Sequence, residues 1–309
     1  MTSIARAPKL GPLLTAMLTP FASDGSVDLD ETKRLARYLV DEGNTGLAIS
    51  GTTGESPALS DDEKLALFAT VVEAVGKRAA IVAGTGGNNT QQSVDLTKRA
   101  AALGADAILA VVPYYNKPTQ DGMLLHFGAI AEATTLPIVV YNIPGRTGAN
   151  MLPATLLELA RRHENIAGVK ESSGDFAQFS SILHERPRGF GFWVGDDHLL
   201  LPSLALGGDG LISVAAHLCA REYRELIAAY ERGENARASE LHLRLTPLVA
   251  ALFATSSPIP VKWALNELGF ELGSCRSPLG AMPPDLAERL RPLLEPFRDR
   301  TRATLAAAR

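Results

Sequence analysis

Short apolar runs recur along the chain, each followed by a longer stretch in which apolar positions return every three or four residues. The runs predict strands over 13–17, 46–49, 80–83, 107–112, 138–141, 166–170, 190–194 and 210–214. The stretches between them predict helices over 30–42, 61–75, 90–103, 120–133, 153–162, 175–183, 197–206 and 220–230. The apolar runs do not alternate with polar positions, as expected of parallel strands covered on both faces. Boundaries carry their own signals. Ser60 precedes Asp61, Asp62 and Glu63, an N-cap followed by three acids in the positive first turn. Asp28 or Asp30 does similar work before the first helix, with Gly43 as its stop, and Gly104 stops the third.

Eight strand–helix units of about 27 residues each suit βαβ connections. Right-handed crossovers could close them into a barrel or spread them as an open doubly wound sheet, and a span of about 230 residues favours the barrel. No GxGxxG follows the first strand. Gly84-Thr85-Gly86-Gly87 lacks the last glycine and an acidic partner, and reads as a tight turn. Beyond Gly233 the alternation stops, and 234–253, 261–268 and 285–300 read as helices. The expected fold is α/β, a (β/α)₈ TIM barrel over 1–232 with an all-helical C-terminal domain over 233–309. That extension reads as a packing or subunit-contact element.

Composition narrows the setting. With 309 residues, 46% hydrophobic and 21% charged, the chain can bury a large core without disulfides or metals. A net charge of −4 argues against a nucleic-acid-binding surface. The longest uncharged stretch, 245–261, contains three prolines with Ser and Thr, which excludes a membrane span. The opening MTSIARAPKLG lacks an apolar h-region, which predicts no secretory signal. Cys219 and Cys275 form no CxxC spacing and fit a reducing cytoplasm.

Barrel chemistry belongs at the C-terminal ends of the strands. The second strand ends in Ser50-Gly51-Thr52-Thr53-Gly54-Glu55-Ser56, where two glycines bracket two hydroxyls. Such a loop can hold a carboxylate on backbone N–H groups and hydroxyls; a phosphate cradle without the P-loop lysine and a plain polar turn are the rival readings. The sixth strand ends in Lys170. Desolvation at a strand mouth favours the neutral amine that forms a Schiff base, unless the side chain reaches solvent or pairs with Glu171 or Asp175. The fifth strand ends in Tyr141, whose hydroxyl could shuttle protons. Arg146, in the following Pro144-Gly145-Arg146-Thr147-Gly148, could clasp a carboxylate. Tyr114 and Tyr115, an aromatic hydroxyl pair after the fourth strand, read both as interface or packing residues and as catalytic ones. Histidines 126, 163, 184, 198, 217 and 242 show no HxH or HExxH spacing. Asp196-Asp197 could ligate a cation or cap the next helix. No GxSxG elbow is present.

The blocks GTTGES, PYYNKP, YNIPGRTG, GVKESSGD, VGDD, GGDGLISV and PIPVKWALNELG occur in the order seen in the dihydrodipicolinate synthase/N-acetylneuraminate lyase family, which the chain resembles from about residue 10 to 269. The resemblance implies a class I aldolase-type barrel with a C-terminal helical domain that forms a lysine Schiff base with a 2-oxo acid. It is strongest to the branch that condenses pyruvate with L-aspartate 4-semialdehyde, the first committed step of lysine (diaminopimelate) biosynthesis. It implies Lys170 as nucleophile, Tyr141 as proton donor and acceptor, and Thr53 as the link to Tyr115 of a neighbouring subunit. Thr52 and Thr53 would hold the pyruvate carboxylate and Arg146 the semialdehyde carboxylate, with Gly195 and Ile212 shaping the floor near the imine. No cofactor is implied, and the assembly would be a homotetramer built from tight dimers. An arginine at 146 separates this branch from relatives acting on 2-keto-3-deoxy sugar acids or N-acetylneuraminate, the alternative within the family. A barrel that binds 2-oxo acids for regulation without turnover is a third reading. Ser172-Ser173 stands where alanine-threonine is common. An allosteric lysine site is implied at Ser56, Asn88 and Tyr114. Asp61, Lys64 and Gln92 stand at the positions of the histidines and acid of lysine-regulated members, which argues against tight lysine feedback.

Overall fold

The computed structural model describes residues 10–307. The N-terminal stretch read as free of a secretory segment lies, but for its last two residues, outside them. The first half runs β1 (Leu13–Ala16), α1 (Leu29–Asp41), β2 (Gly46–Ile49), α2 (Asp61–Val75), β3 (Ala80–Gly84), α3 (Thr90–Ala102), β4 (Ala107–Val111) and α4 (Gln120–Glu132). It continues with β5 (Ile138–Asn142), α5 (Pro144–Thr147), α6 (Pro153–Arg162), β6 (Ile166–Glu171), α7 (Phe176–Glu185), β7 (Gly191–Val194), α8 (Leu200–Ala205) and β8 (Gly210–Ser213). Then come α9 (Ala216–Glu231), α10 (Asn235–Leu252), α11 (Ile259–Glu267), α12 (Pro284–Leu290) and α13 (Glu295–Ala307).

The strands follow one another in sequence order around a closed barrel. Their pairings are parallel, and nearly every strand residue is buried. All eight predicted strands are present, each within a residue of its expected ends at either side. Packing groups Ala80–Ile212, with residues 10–12, into one unit, and Leu13–Ala79 with the segment from Ser213 onward into another. In the first unit, Leu211 N–H donates to the Pro12 carbonyl at 2.9 Å. A methyl on the neighbouring Gly210 would fall 2.0 Å from that same oxygen, so the close approach requires glycine.

Helix starts follow the sequence. The Asp28 side chain accepts from Glu31 N–H, and Ser60 and Glu63 form a reciprocal capping box. Four departures have local causes. Proline at the first position and left-handed Gly148 at the end enclose the one-turn α5, which was not anticipated. The expected helix over 197–206 opens as a 3₁₀ turn before α8, and the Asp196 side chain makes no capping bond. The helix expected from 220 starts at Ala216, where the Ser213 hydroxyl accepts from Ala216 N–H, and Cys219 then breaks its regularity. The expected helix over 285–300 is divided into α12 and α13 by a 3₁₀ turn containing Pro292. Among the described residues neither Cys219 nor Cys275 forms a disulfide.

In the second unit, buried His217 ties α9 to the chain after β1. Its Nε2 accepts from Leu18 N–H at 3.2 Å while Nδ1–H donates to the Val214 carbonyl at 2.8 Å. That arrangement requires the neutral ring, and burial pushes its pKa down from 6.5 to about 4. As pH falls below 6.5 the unfolded chain takes up this proton while the folded chain does not. Stability should therefore decline between pH 6.5 and pH 4, by up to about 1.4 kcal/mol per pH unit from this group. Urea melts across that window should show a shallower pH dependence in His217→Gln; an unchanged slope would exclude His217 as its source.

Candidate active site

The ends of β5, β6 and β7 in the first unit bring together three of the expected site residues. Pairing of β5 with β6 sets Tyr141 opposite Lys170, and pairing of β6 with β7 sets Lys170 opposite Trp193. Lys170 is only 4% exposed, and its Nζ lies 4.1 Å from the centre of the Tyr141 ring. Among the described residues no carboxylate forms an ion pair with it: neither Glu171 nor Asp175 is its partner.

Gly195 gives this lysine its room. A methyl there would fall 2.8 Å from Lys170 Cε and 1.9 Å from Ser172 Oγ. The Ser172 hydroxyl is buried without a hydrogen-bond partner among the described residues. Next to Gly195, Asp196 is half-buried. Burial raises its carboxyl pKa, while Lys170, His198 and Arg146 pull it down. The two sequence readings of Asp196, cation ligand or helix cap, both missed its electrostatic link to Lys170. Among the described residues no group of three or more His, Cys, Asp and Glu is gathered to hold a metal ion.

A second polar layer flanks the Tyr141–Lys170 pair. Asn142 pairs with Glu171 across the ladder, and its Nδ2 donates to both carboxylate oxygens at 3.2 and 3.1 Å. Gln178 Nε2 and Ser173 N–H also donate to Glu171, while Asn150 bridges Asn142 and Gln178. Gln120 extends the network to the Asn150 carbonyl and the Thr155 hydroxyl. Burial raises the Glu171 pKa and these hydrogen bonds oppose it. Sequence reading missed this layer because its four amides are ordinary residues scattered over β5, α7, α4 and the stretch after α5.

Arg146 projects from α5 as an exposed guanidinium with no hydrogen-bond partner among the described residues. Tyr115 N–H donates to the Thr147 carbonyl at 3.3 Å, which ties the loop after β4 to α5. The Tyr115 side chain is 89% exposed, on a left-handed backbone. Tyr114 is half-buried; Asn88 is held through its carbonyl by the Asn116 side chain. Ile212 is fully buried on β8.

In the second unit the loop after β2 begins and ends left-handed, at Ser50 and Glu55, both with φ of 56°. It closes on itself through Glu55 N–H to Thr52 O and Ser56 N–H to Gly51 O, and the Thr19 hydroxyl donates to Gly54 O at 2.7 Å. Thr53 is buried, Thr52 and Ser56 half-buried. Lys64 pairs with Asp61 at 3.7 Å. No helix among the described residues is long and apolar enough to cross a membrane.

The sequence profile of the dihydrodipicolinate synthetase family matches residues 9–296. The 4-hydroxy-tetrahydrodipicolinate synthase of Moorella thermoacetica is 53% identical over 269 residues, covering 87% of this chain and 92% of that protein. Among solved structures, a dihydrodipicolinate synthase from Bacillus anthracis superposes with a TM-score of 0.90 at 43% identity, covering 93% of this chain and 98% of that one. A lysine-bound dihydrodipicolinate synthase from Cyanidioschyzon merolae gives 0.90 at 40% identity, covering 96% and 98%.

The space at Gly195 is directly testable. Gly195→Ala should fold but lower borohydride-trappable adduct formation with a 2-oxo acid by about 100-fold, the scale of an ångström's misplacement of a reacting group. Adding Ser172→Ala removes the closer clash and should restore part of the loss, while adduct formation at the wild-type rate in the single variant would refute the steric role.

Proposed function

The chain belongs to the dihydrodipicolinate synthetase family, and from that premise we propose that it condenses pyruvate with L-aspartate 4-semialdehyde through a Schiff base on Lys170. The observation that carries this reading is a buried lysine at a strand end, in no ion pair among the described residues and lying against the ring of a tyrosine. Such an amine is placed for attack on a carbonyl carbon, with a phenol close by to move protons.

Pyruvate docks with its carboxylate on Thr52 and Thr53. The Lys170 amine adds to the keto carbon, giving a carbinolamine. Tyr141 delivers a proton to its hydroxyl, water leaves, and a protonated imine remains. This cation withdraws electrons from the methyl group, which loses a proton to give an enamine. The enamine carbon attacks the semialdehyde carbonyl, forming the new C–C bond. The semialdehyde's amino group then adds to the imine carbon and expels Lys170 as free amine, closing the ring. The exposed, unpartnered Arg146 favours an aldehyde that carries a carboxylate over a polyol. Thr53 and the Tyr115 of a second copy would complete the proton path. That role suits a tyrosine 89% exposed in the single chain, and a homotetramer of tight dimers would supply it. The setting is cytoplasmic, with no nucleic acid, membrane or cofactor involved.

Borohydride reduction in the presence of pyruvate should add the mass of the reduced adduct to Lys170, and Lys170→Ala should show none. An unmodified wild-type protein would overturn the Schiff-base reading. With the adduct present, a coupled assay should show condensation with the semialdehyde. Cleavage of sugar acids alone would transfer the chain to the other aldolases of the family. Tyr141→Phe should lower kcat by about 10²- to 10⁴-fold, the usual range for a general acid–base group.

A further inference from the structure

The block PIPVKWALNELG has no task in the reaction as proposed, yet it carries a buried cation. Lys262, on α11, places Nζ 2.7 Å from Glu55 Oε1 and 3.2 Å from the Ser274 carbonyl. Both partners of the pair are almost fully buried. The other Glu55 oxygen accepts from Arg276 N–H at 2.8 Å. Lys262 and Arg276 also lie over the Phe21 ring, at 4.2 and 4.3 Å from its centre. The Arg276 guanidinium continues the grip beyond the loop, donating to the carbonyls of Gly25 and Ala58 and to the Glu63 carboxylate. Segment 262–276 thus holds the loop after β2 and the start of α2 within one unit.

Glu55 is the residue that closes this loop, and it does so left-handed, a conformation that glutamate keeps only when its surroundings fix it. Its carboxylate supplies the fixing contacts. An unpaired carboxylate at this place would also repel any anion on the adjacent hydroxyls, and Lys262 cancels its charge. We propose that Glu55 and Lys262 are positioning residues: their ion pair sets the loop bearing Thr52 and Thr53 to receive the carboxylate of the 2-oxo acid, so the C-terminal helical region governs substrate binding. The inference rests on the reading that these two threonines hold the pyruvate carboxylate, and extends it to residues that touch no substrate.

The test is steady-state kinetics with each substrate varied separately, beside thermal melts. Lys262→Met should raise the KM for pyruvate by about tenfold or more and leave the KM for the semialdehyde within about twofold. Glu55→Gln combined with Lys262→Met removes the stranded charge and should recover a large part of the pyruvate KM. A pyruvate KM within about twofold of wild type in Lys262→Met, with only the melting temperature lowered, would reduce the pair to packing and overturn the proposal. If Lys262→Met does not fold, Glu55→Asp keeps the charge but withdraws the carboxylate by one methylene; the same KM split is expected, and an unchanged pyruvate KM overturns the proposal. Borohydride trapping of wild type with pyruvate separates the two levels. No wild-type adduct on Lys170 defeats the Schiff-base reading and the positioning role with it. A wild-type adduct with variants unaltered toward pyruvate defeats the positioning role alone.

Discussion

The register of β5 against β6 sets Tyr141 opposite Lys170 and, one residue on, Asn142 opposite Glu171. Successive side chains on a strand leave by opposite faces, so these two pairs cannot mix. Tyr141 and Lys170 share one face, where Gly195 keeps the space beside the lysine stem open. Asn142 and Glu171 take the other, where Gln178 of α7 and Asn150 after α5 complete their hydrogen bonds. A slip of one residue would exchange the sets, turning an amine into the amide network and a carboxylate into the place of Lys170. The amide layer resists such a slip, because Glu171 is buried and finds all its donors only in this register.

This helps explain what could be read from the sequence. The eight strands were legible because parallel strands buried on both faces are written as uninterrupted apolar runs. The starts of α1 and α2 were legible because Asp28 and the Ser60–Glu63 box act within four residues of themselves. Lys170, Tyr141 and Arg146 stood out as polar residues where apolar runs end. What escaped was set by partners distant in sequence or by short-range competition. Glu55 and Lys262 are 207 positions apart, and nothing near either one announces the other. The break in α9 at Cys219 and the division of the last helix at Pro292 reflect local backbone geometry that helical periodicity does not record. Tyr115 lies between these cases: its loop was legible, while its exposure emerges only from the folded chain.

Two buried carboxylates, Glu171 at the end of β6 and Glu55 in the loop after β2, are satisfied by opposite means. Glu171 adjoins Lys170 in sequence and is met by neutral donors, two side-chain amides and a backbone N–H. A cation in that position would add positive charge beside Lys170 and oppose formation of the proposed cationic imine. Neutral donors relieve the burial of the carboxylate without that effect. Glu55 closes the loop that carries the hydroxyls of Thr52 and Thr53, and it is met by a full cation, Lys262. Amides alone would leave its negative charge facing the anion that the loop is proposed to hold. One carboxylate is therefore met by dipoles, whereas the other is met by a full cation. In each case the choice of partner follows the sign of the charge that the neighbouring group must tolerate.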